Sequence, residues 1–380
     1  MKRNKSTHDI NKFLRLLICT ACLLLCGCQR DAVSTGTLLK LAEVRSIPAG
    51  KWSTHVESLQ FIPLETNEQS LIGRINKIGY LDEVIYVLSD NNKLTAFRND
   101  GSYIRNYCAI GNGPGELESF MDFDVDQENV YIIGYNKVST FSKDGTFQKE
   151  TNLKAIPSAI KKTKDGMLFY LSTPVGEDCL AYMDAEGNWS TTLQKNEPLR
   201  LNRPNSWLRL PDGNFIFQKG YSMEAVLFRE DSQQFEDIDL TDAPTALTLA
   251  EQEQIQKEQG SKGLFDSGKI IYDGLASSAS QLIFAEGDKN GTSLYLRDLE
   301  QNKTCSFIVS EMEDDVTFTE GKFLDYASCG YSNGAYLLSY LEADVLREVF
   351  QNHEENPNYP LVMKLHDESN PVILLFRLKD

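Results

Sequence analysis

Residues 128–145 have the sequence ENVYIIGYNKVSTFSKDG, in which two short runs rich in β-branched and aromatic residues are followed by an Asp-Gly turn. Residues 82–101, DEVIYVLSDNNKLTAFRNDG, show the same order, and Gly101 precedes Gly145 by 44 residues. Period-2 alternation predicts strands, and Asp-Gly between such runs predicts antiparallel hairpins. The two segments therefore predict successive copies of one β-rich unit.

The same unit recurs further along the chain. Gly187 closes a similar turn 42 residues after Gly145, and Gly213 follows its counterpart Gly166 by 47 residues. Looser copies occupy residues 280–297 and residues 334–340 together with 371–378. A period near 45 residues with about four strands per copy is typical of propeller blades. We therefore predict an all-β fold, a six-bladed β-propeller with short helical insertions.

Three further segments complete this prediction. Thr248 and Glu251 form a capping-box pattern that predicts a helix near 248–259, ending at Gly260. Apolar residues at helical spacing predict a second helix near 341–352. Residues 56–64 precede the first copy, and we expect them to pair with the C-terminal blade, because an open blade edge would expose unpaired backbone groups. The propeller is thus predicted over residues 56–380.

The N-terminus has the pattern of an export signal. Basic residues precede the apolar run Leu16–Leu25, and the sequence Leu25-Cys26-Gly27-Cys28 is typical of a bacterial lipobox. We predict that residues 1–27 are removed, that Cys28 is lipidated, and that residues 28–55 form a linker. The apolar run is too short for a membrane span. The predicted location is the cell envelope, on the periplasmic or the surface face of the outer membrane.

Charge and cysteine usage narrow the function classes. The net charge of −17 becomes −21 when residues 1–27 are removed, and such a chain repels nucleic acid and favours cationic or neutral partners. No spacing among the four remaining cysteines indicates a zinc site or a small disulfide scaffold. Separate buried thiols are expected, with one or two disulfides as the alternative. The four are Cys108, Cys179, Cys305 and Cys329.

Several short motifs resemble a known family. They include the Ile62–Thr66 segment IPLET, the loop Gly111–Glu116 with sequence GNGPGE, and the terminal segment 370–376. In these motifs the chain resembles the six-bladed β-propeller lipoproteins of Bacteroides-type bacteria, an NHL-like family. The resemblance implies an envelope protein that binds a ligand, and it supplies no catalytic residues.

Candidate binding residues come from aligning the repeats. When Asn129-Val130-Tyr131 is aligned with Met167-Leu168-Phe169 and with Asn214-Phe215-Ile216, the residues that precede these segments fall into two sets of matching positions. One set holds Asp124, Lys162 and Arg209, and the other holds Asp122 and Trp207. We expect them on the innermost strands, at the mouth of a central channel that holds a polar ligand. Salt bridges between blades are the alternative.

Other chemistries are less well supported by the sequence. Asp122, Asp124 and Asp126 alternate on one strand face, but the spacing of an EF-hand is absent, and we predict no metal site and no cofactor. The expected function is a binding or interaction module for a small molecule, a glycan or an envelope protein, in glycan or nutrient handling. The alternative is a propeller-class glycosidase or lyase that uses channel-mouth carboxylates.

Overall fold

Antiparallel sheets dominate the computed structural model of this chain. The structure describes residues 40–379 except 91, 176–177, 193–206, 211, 219–221, 245, 269–270, 289–290, 326–329 and 333. The predicted signal segment, the predicted lipidation site Cys28 and Cys329 lie outside the described residues. The sheets are arranged as a six-bladed β-propeller, which confirms the predicted fold class.

The strands follow one another blade by blade from the centre outward. The N-terminal elements are β1 (Val44–Ser46), β2 (Gly50–Lys51), helix α1 (Trp52–His55) and β3 (Val56–Pro63). Blade 1 consists of β4 (Ile75–Leu81), β5 (Val84–Ser89), β6 (Lys93–Arg98) and β7 (Tyr103–Tyr107). The short strands β8 (Ala109–Ile110) and β9 (Glu116–Leu117) lie in the crossing to blade 2. Blade 2 consists of β10 (Asp122–Val125), β11 (Asn129–Ile133), β12 (Lys137–Ser142) and β13 (Phe147–Asn152).

The second half of the ring repeats this order. Blade 3 consists of β14 (Pro157–Lys162), β15 (Gly166–Val175), β16 (Asp178–Asp184) and β17 (Trp189–Thr192). Blade 4 consists of β18 (Trp207–Arg209), β19 (Phe215–Gln218), β20 (Glu224–Arg229) and β21 (Gln234–Asp239). Blade 5 consists of β22 (Ile271–Ser277), β23 (Gln281–Asp288), β24 (Gly291–Asp298) and β25 (Lys303–Ile308), and the short β26 (Met312–Glu313) follows it. Blade 6 consists of β27 (Gly330–Ser332), β28 (Leu337–Leu341), β29 (Val372–Leu378) and the N-terminal β3.

The predicted hairpin turns have the expected geometry. Gly101, Gly145, Gly187 and Gly213 have positive φ angles of 85–91°, which glycine adopts without steric cost. An aspartate stabilises each turn from the position directly before the glycine, as where the Asp144 carboxylate accepts a hydrogen bond from the Thr146 amide at 2.9 Å, or, at Gly187, from Asp184 three residues earlier. These local contacts explain why the repeat is visible in the sequence.

The ring is closed by an N-terminal strand, as predicted. Strand β3 pairs with β29 in antiparallel register, with Ile62 opposite Ile373. Blade 6 is therefore built from both ends of the chain.

Residues 44–55 belong to the folded body, which corrects the predicted linker. Strand β1 pairs in parallel with β25, and the side chain of Trp52 is fully buried. Its ring lies 5.2 Å from the ring of Phe307 and 5.9 Å from that of Phe323. An aromatic ring buries a large apolar area, so this single residue anchors the segment despite the shortness of its strands.

Both helical insertions are present with changed ends. Helix α2 (Leu249–Asp266) has the predicted capping box, but it continues beyond Gly260, where a positive φ angle of 69° introduces a kink. The other short helices are α3 (Lys322–Asp325), α4 (Ala343–Phe350) and α5 (Tyr359–Val362). Helix α4 is shorter than predicted because Leu341 ends strand β28. Among the described residues, no helix combines the length and apolar character needed to cross a bilayer.

The core is divided into layers between neighbouring blades. One cluster joins Ile133 of blade 2 to Phe169 of blade 3, and another joins Leu168 of blade 3 to Phe215 of blade 4. Cys179 and Cys305 are buried and Cys108 is half-buried, and no disulfide joins any two of these three cysteines. Each blade is stabilised mainly by contact with its neighbours, because a single sheet cannot cover its own apolar faces.

Candidate functional site at the ring centre

The first strand of each blade lies nearest the axis, and these six inner strands build the candidate site. They are β4, β10, β14, β18, β22 and β27. Strand β27 pairs in parallel with both β22 and β4, so backbone hydrogen bonds join the inner strands of blades 5, 6 and 1. Gly79 of β4 permits this approach, because a Cβ atom there would lie 2.9 Å from the ring of Tyr331.

An ion pair links the inner strands of blades 1 and 2. The Nζ atom of Lys77 donates to Asp122 Oδ1 at 2.8 Å and to the Phe123 carbonyl oxygen at 2.8 Å. The other carboxylate oxygen of Asp122 accepts a hydrogen bond from the Ile160 amide of blade 3 at 2.9 Å. Both side chains of the pair are buried. Asp122 therefore holds three blades together.

A second ion pair links blades 2 and 3. Lys161 Nζ donates to Asp124 Oδ1 at 2.9 Å, and the Lys162 amide donates to Asp124 Oδ2 at 2.6 Å. Asp124 is 1% exposed and Lys161 is 8% exposed. A buried ion pair requires such additional hydrogen bonds, since desolvation of the two charges is costly. The four charges form one neutral network, which we call the central network and define as Lys77, Asp122, Asp124 and Lys161.

Aromatic rings surround the two ammonium groups of this network. The Nζ atom of Lys161 lies 3.8 Å from the centroid of the Tyr331 ring, and that of Lys77 lies 5.1 Å from it. The ring of Phe123 is 5.3 Å from Lys77 Nζ. These distances place both cations within reach of cation–π attraction. The Tyr331 hydroxyl is buried near Asp124 without a hydrogen bond of ordinary geometry.

The ionisation of the central network is set by burial and by its own charges. Burial raises the pKa of Asp122, against the attraction of Lys77. Burial also acts to raise the pKa of Asp124, but the charges of Lys161 and Lys77 outweigh it and the pKa is lowered. Burial lowers the pKa of Lys161 more than Asp124 raises it. Asp124 is thus the more firmly ionised of the two aspartates.

The side chains of the other three predicted residues form no hydrogen bond or ion pair with the central network in the described structure. Trp207 is buried and packs on Phe217 with ring centroids 5.0 Å apart, while its Nε1 atom has no hydrogen-bond partner among the described residues. Lys162 is half-buried, and its Nζ atom donates to the carbonyl oxygens of Thr163 and Lys164. Arg209 is exposed.

Arg209 is an exposed cation on the inner strand of blade 4. Its guanidinium lies 5.8 Å from the ring centroid of Phe215, and it forms no ion pair with the residues that the structure describes.

Asp126, the third aspartate of the alternating set, is hydrogen-bonded within its own hairpin, since its carboxylate accepts hydrogen bonds from the Asn129 amide and the Tyr131 hydroxyl. In the described part of the chain, no three His, Cys, Asp or Glu side chains are grouped to hold a metal ion.

Comparison with known sequences identifies a family for this arrangement. The profile of the domain of unknown function DUF4934 matches residues 45–377, from β1 to the last strand. The chain belongs to this family. A search of curated proteins finds no match to the DUF4934 propeller described here.

Solved structures resemble the DUF4934 propeller to different degrees. A Bacteroides fragilis protein described as exported has a TM-score of 0.69 at 17% identity, over 90% of this chain and 99% of that one. An inactive virginiamycin B lyase of Staphylococcus aureus, solved with quinupristin, has a TM-score of 0.39 at 15% identity. Its alignment covers 66% of this chain and 74% of the lyase. The first of these likenesses shows the fold.

The blade alignment made from the sequence is wrong by one residue in blade 2 of the DUF4934 propeller. Val125 pairs with Val130 and Lys162 pairs with Met167, so Asn129 corresponds to Gly166 rather than to Met167. Phe123 packs against blade 1, so Asp122 and Asp124, which alternate with it, lie on the opposite face of the strand and face blade 3. Trp207 of blade 4 instead packs against the blade before it, blade 3. A one-residue shift exchanges the two faces of a strand.

Three residues of the site were not predicted from the sequence, namely Lys77, Lys161 and Tyr331. Lys77 has a detectable signal, because it is the one charged residue in the otherwise uncharged strand β4. Lys161 and Tyr331 have none, since their roles depend on how the inner strands meet at the axis. The structure brings the two predicted aspartates together with these residues, and it supports the salt-bridge alternative for them.

Proposed function

We propose that this DUF4934 propeller is a lipid-anchored, extracytoplasmic module that binds a polar, anionic ligand at the ring centre, in glycan or nutrient handling. The observation that carries the proposal is the division of charge on the inner strands. The two aspartates neutralise Lys77 and Lys161 inside the central network, whereas Arg209 is exposed and forms no ion pair with a described residue. An exposed guanidinium is suited to a carboxylate because it donates two parallel hydrogen bonds.

The location rests on sequence and on similarity of fold. The lipobox at Leu25–Cys28 predicts diacylation of Cys28, which anchors a protein stably. The similar Bacteroides fragilis protein is described as exported. We expect the full chain to incorporate labelled palmitate in a Gram-negative host, and Cys28→Ser to incorporate none. Labelling of Cys28→Ser contradicts the proposed anchor, because no other lipid attachment is predicted.

The glycosidase or lyase alternative is not favoured by the geometry. Such an enzyme needs carboxylates open to its substrate. Asp122 is 4% exposed and Asp124 is 1% exposed, and each carboxylate is occupied by one lysine and one backbone amide. We therefore expect no turnover that depends on these two residues.

A binding screen tests the proposed function. The soluble form that begins at Gln29 is screened against uronic acids, sialic acid and their neutral parent sugars by calorimetry. Arg209→Gln is expected to weaken binding of the acidic ligand about 10-fold, in line with the loss of about 1.4 kcal/mol. Arg98→Gln, an exposed arginine on the third strand of blade 1, is the matched control and is expected to bind normally.

Two outcomes contradict this proposal. Equal binding of acidic and neutral sugars shows that Arg209 does not select charge. Turnover of a bound glycan that is abolished by Asp124→Asn supports the enzyme alternative instead.

A further inference from the structure

A groove of about 780 Å³ lies on the connection between blades 5 and 6, away from the inner strands. We call it the Phe318 groove and define it by Val309, Met312, Glu313, Phe318, Glu320 and His353. Its volume falls within the range of about 300–1,000 Å³ that is usual for small-molecule sites. Its walls combine apolar and aromatic side chains with carboxylates, so it has the composition of a ligand site.

The loop that forms one wall is held in a fixed conformation. The carboxylate of Asp314 accepts hydrogen bonds from the amides of Thr317, Thr319 and Gly321 at 2.8–3.0 Å. Burial acts to raise the pKa of Asp314, but its hydrogen bonds to these groups outweigh burial and lower the pKa. The loop is therefore organised around one ionised side chain.

This fixed loop places an aromatic wall in the groove. Phe318 has a φ angle of 60°, a left-handed conformation that is strained for a bulky residue. Its ring stacks on the His353 ring with centroids 3.5 Å apart and planes 7° apart, and its centroid lies 5.3 Å from that of the Phe350 ring at an interplanar angle of 78°. A planar apolar surface of this kind suits the hydrocarbon part of a ligand.

The charged wall is acidic and only partly compensated. Glu313 forms an ion pair with Lys51 at 2.9 Å, and both side chains are more than half exposed. Glu320 also has a positive φ angle, is exposed, and forms no ion pair with any residue in the described part of the chain. The exposed Glu320 carboxylate therefore favours a cation at this wall.

We infer that the Phe318 groove binds a small organic amine with an apolar body. The ammonium group lies at the Glu320 carboxylate, and the hydrocarbon part lies against the Phe318 and His353 rings. The Glu320 carboxylate favours such an amine over a neutral apolar molecule. The apolar wall favours it over a cation that has no hydrocarbon part. The site is separate from the ring centre, so it does not depend on the proposed function.

Calorimetry with two matched probes tests this inference. The first probe is 2-phenylethylamine, which is a cation at pH 7, and the second is 2-phenylethanol, its neutral near-isostere. We expect the amine to bind and the alcohol to bind at least 10-fold more weakly. Rising salt is expected to weaken the binding of the amine, because an exposed ion pair is screened.

Three variants measure the contributions of the Glu320 charge and of the Phe318 ring to amine binding separately. Glu320→Gln is expected to weaken amine binding about fivefold, as for loss of an exposed ion pair. Phe318→Asn keeps a residue that tolerates a positive φ angle while removing the ring, and it is expected to weaken binding at least 10-fold. Glu68→Gln, at an exposed position outside the groove, is the control and is expected to leave binding unchanged.

The inference is overturned by any of three results. They are no binding of the amine up to roughly 10 mM, equal binding of the alcohol, and unchanged binding in Glu320→Gln. Thermal melting of each variant shows that it is folded.

Discussion

At the scale of single residues, Asp124 is the side chain whose loss we expect to cost most. It is 1% exposed and holds the Lys161 ammonium at 2.9 Å inside the ring. In Asp124→Asn the buried lysine loses its counter-charge, and such a change costs about 3–5 kcal/mol. Urea unfolding followed by fluorescence measures this loss as a lower midpoint at unchanged slope.

A double variant separates charge compensation from packing at the same position. In Asp124→Asn/Lys161→Met the uncompensated charge is gone, so we expect most of the lost free energy of unfolding to be recovered. Lys149→Met, at an exposed position on blade 2, serves as the control for the methionine substitution and is expected to change stability little. If Asp124→Asn unfolds at the wild-type urea concentration, the central network does not stabilise the ring.

Asp314 is expected to contribute to the acid sensitivity of the protein. Its folded pKa lies below the ordinary value of 3.8, so its ionised form is stabilised by folding. This contribution is present above pH 3.8 and is lost as the pH falls through the folded pKa. We expect Asp314→Asn to be less stable than wild type at neutral pH.

Urea midpoints measured between about pH 7 and pH 2 check this expectation. The difference between wild type and Asp314→Asn is expected to shrink below about pH 4, because the wild-type carboxyl is then protonated as well. A difference that stays constant across this range contradicts the role given to the ionised carboxylate.

At the scale of elements, the sequence predicts what depends on neighbouring residues. The Asp-Gly turns were predictable because an aspartate at each turn bonds to amides two to four residues away. The alignment of blade 2 with blade 3 was wrong by one residue. Three residues join β10 to β11 and three join β14 to β15, so Asn129 corresponds to Gly166, whereas the alignment from the sequence placed Asn129 on Met167. Strand faces depend on register alone, so one residue of error moved Asp122 and Asp124 to the wrong face.

The N-terminal elements show a second limit of sequence analysis. Strand β1 has three residues and β2 has two, which is too short for an alternating pattern to be recognised. Trp52 alone marks the segment, and its burial depends on Phe307 and Phe323, which are more than 250 residues away in sequence. Partners at such a distance are set by the closed ring, not by local propensity.

At the scale of the whole molecule, three kinds of contact close the ring. The inner strands of blades 5, 6 and 1 are joined by parallel backbone pairing around the axis, and blades 1 to 3 are joined by the central network. Further out, apolar layers between blades complete the closure. Because each blade depends on its neighbours, we expect the ring to unfold as one cooperative unit.

Strand β3 provides the clearest test of this cooperativity, since it contributes to two layers at once. Phe61 packs in the layer that joins blades 5 and 6, whereas Ile62 packs in the layer that joins blades 6 and 1. Burial of each such side chain contributes about 1.5–3 kcal/mol, and the total stability of a domain is about 5–15 kcal/mol. Deletion of residues 56–64 is therefore expected to destabilise every blade.

Thermal melting measures this effect. Far-ultraviolet circular dichroism and tryptophan fluorescence report on different parts of the ring, and both are expected to show the same large decrease in melting temperature. Addition of a synthetic peptide with the sequence of residues 53–66 is expected to restore part of the loss, because the vacant edge of β29 accepts a strand. A truncated chain that melts like the intact body would show that the ring does not need its N-terminal strand.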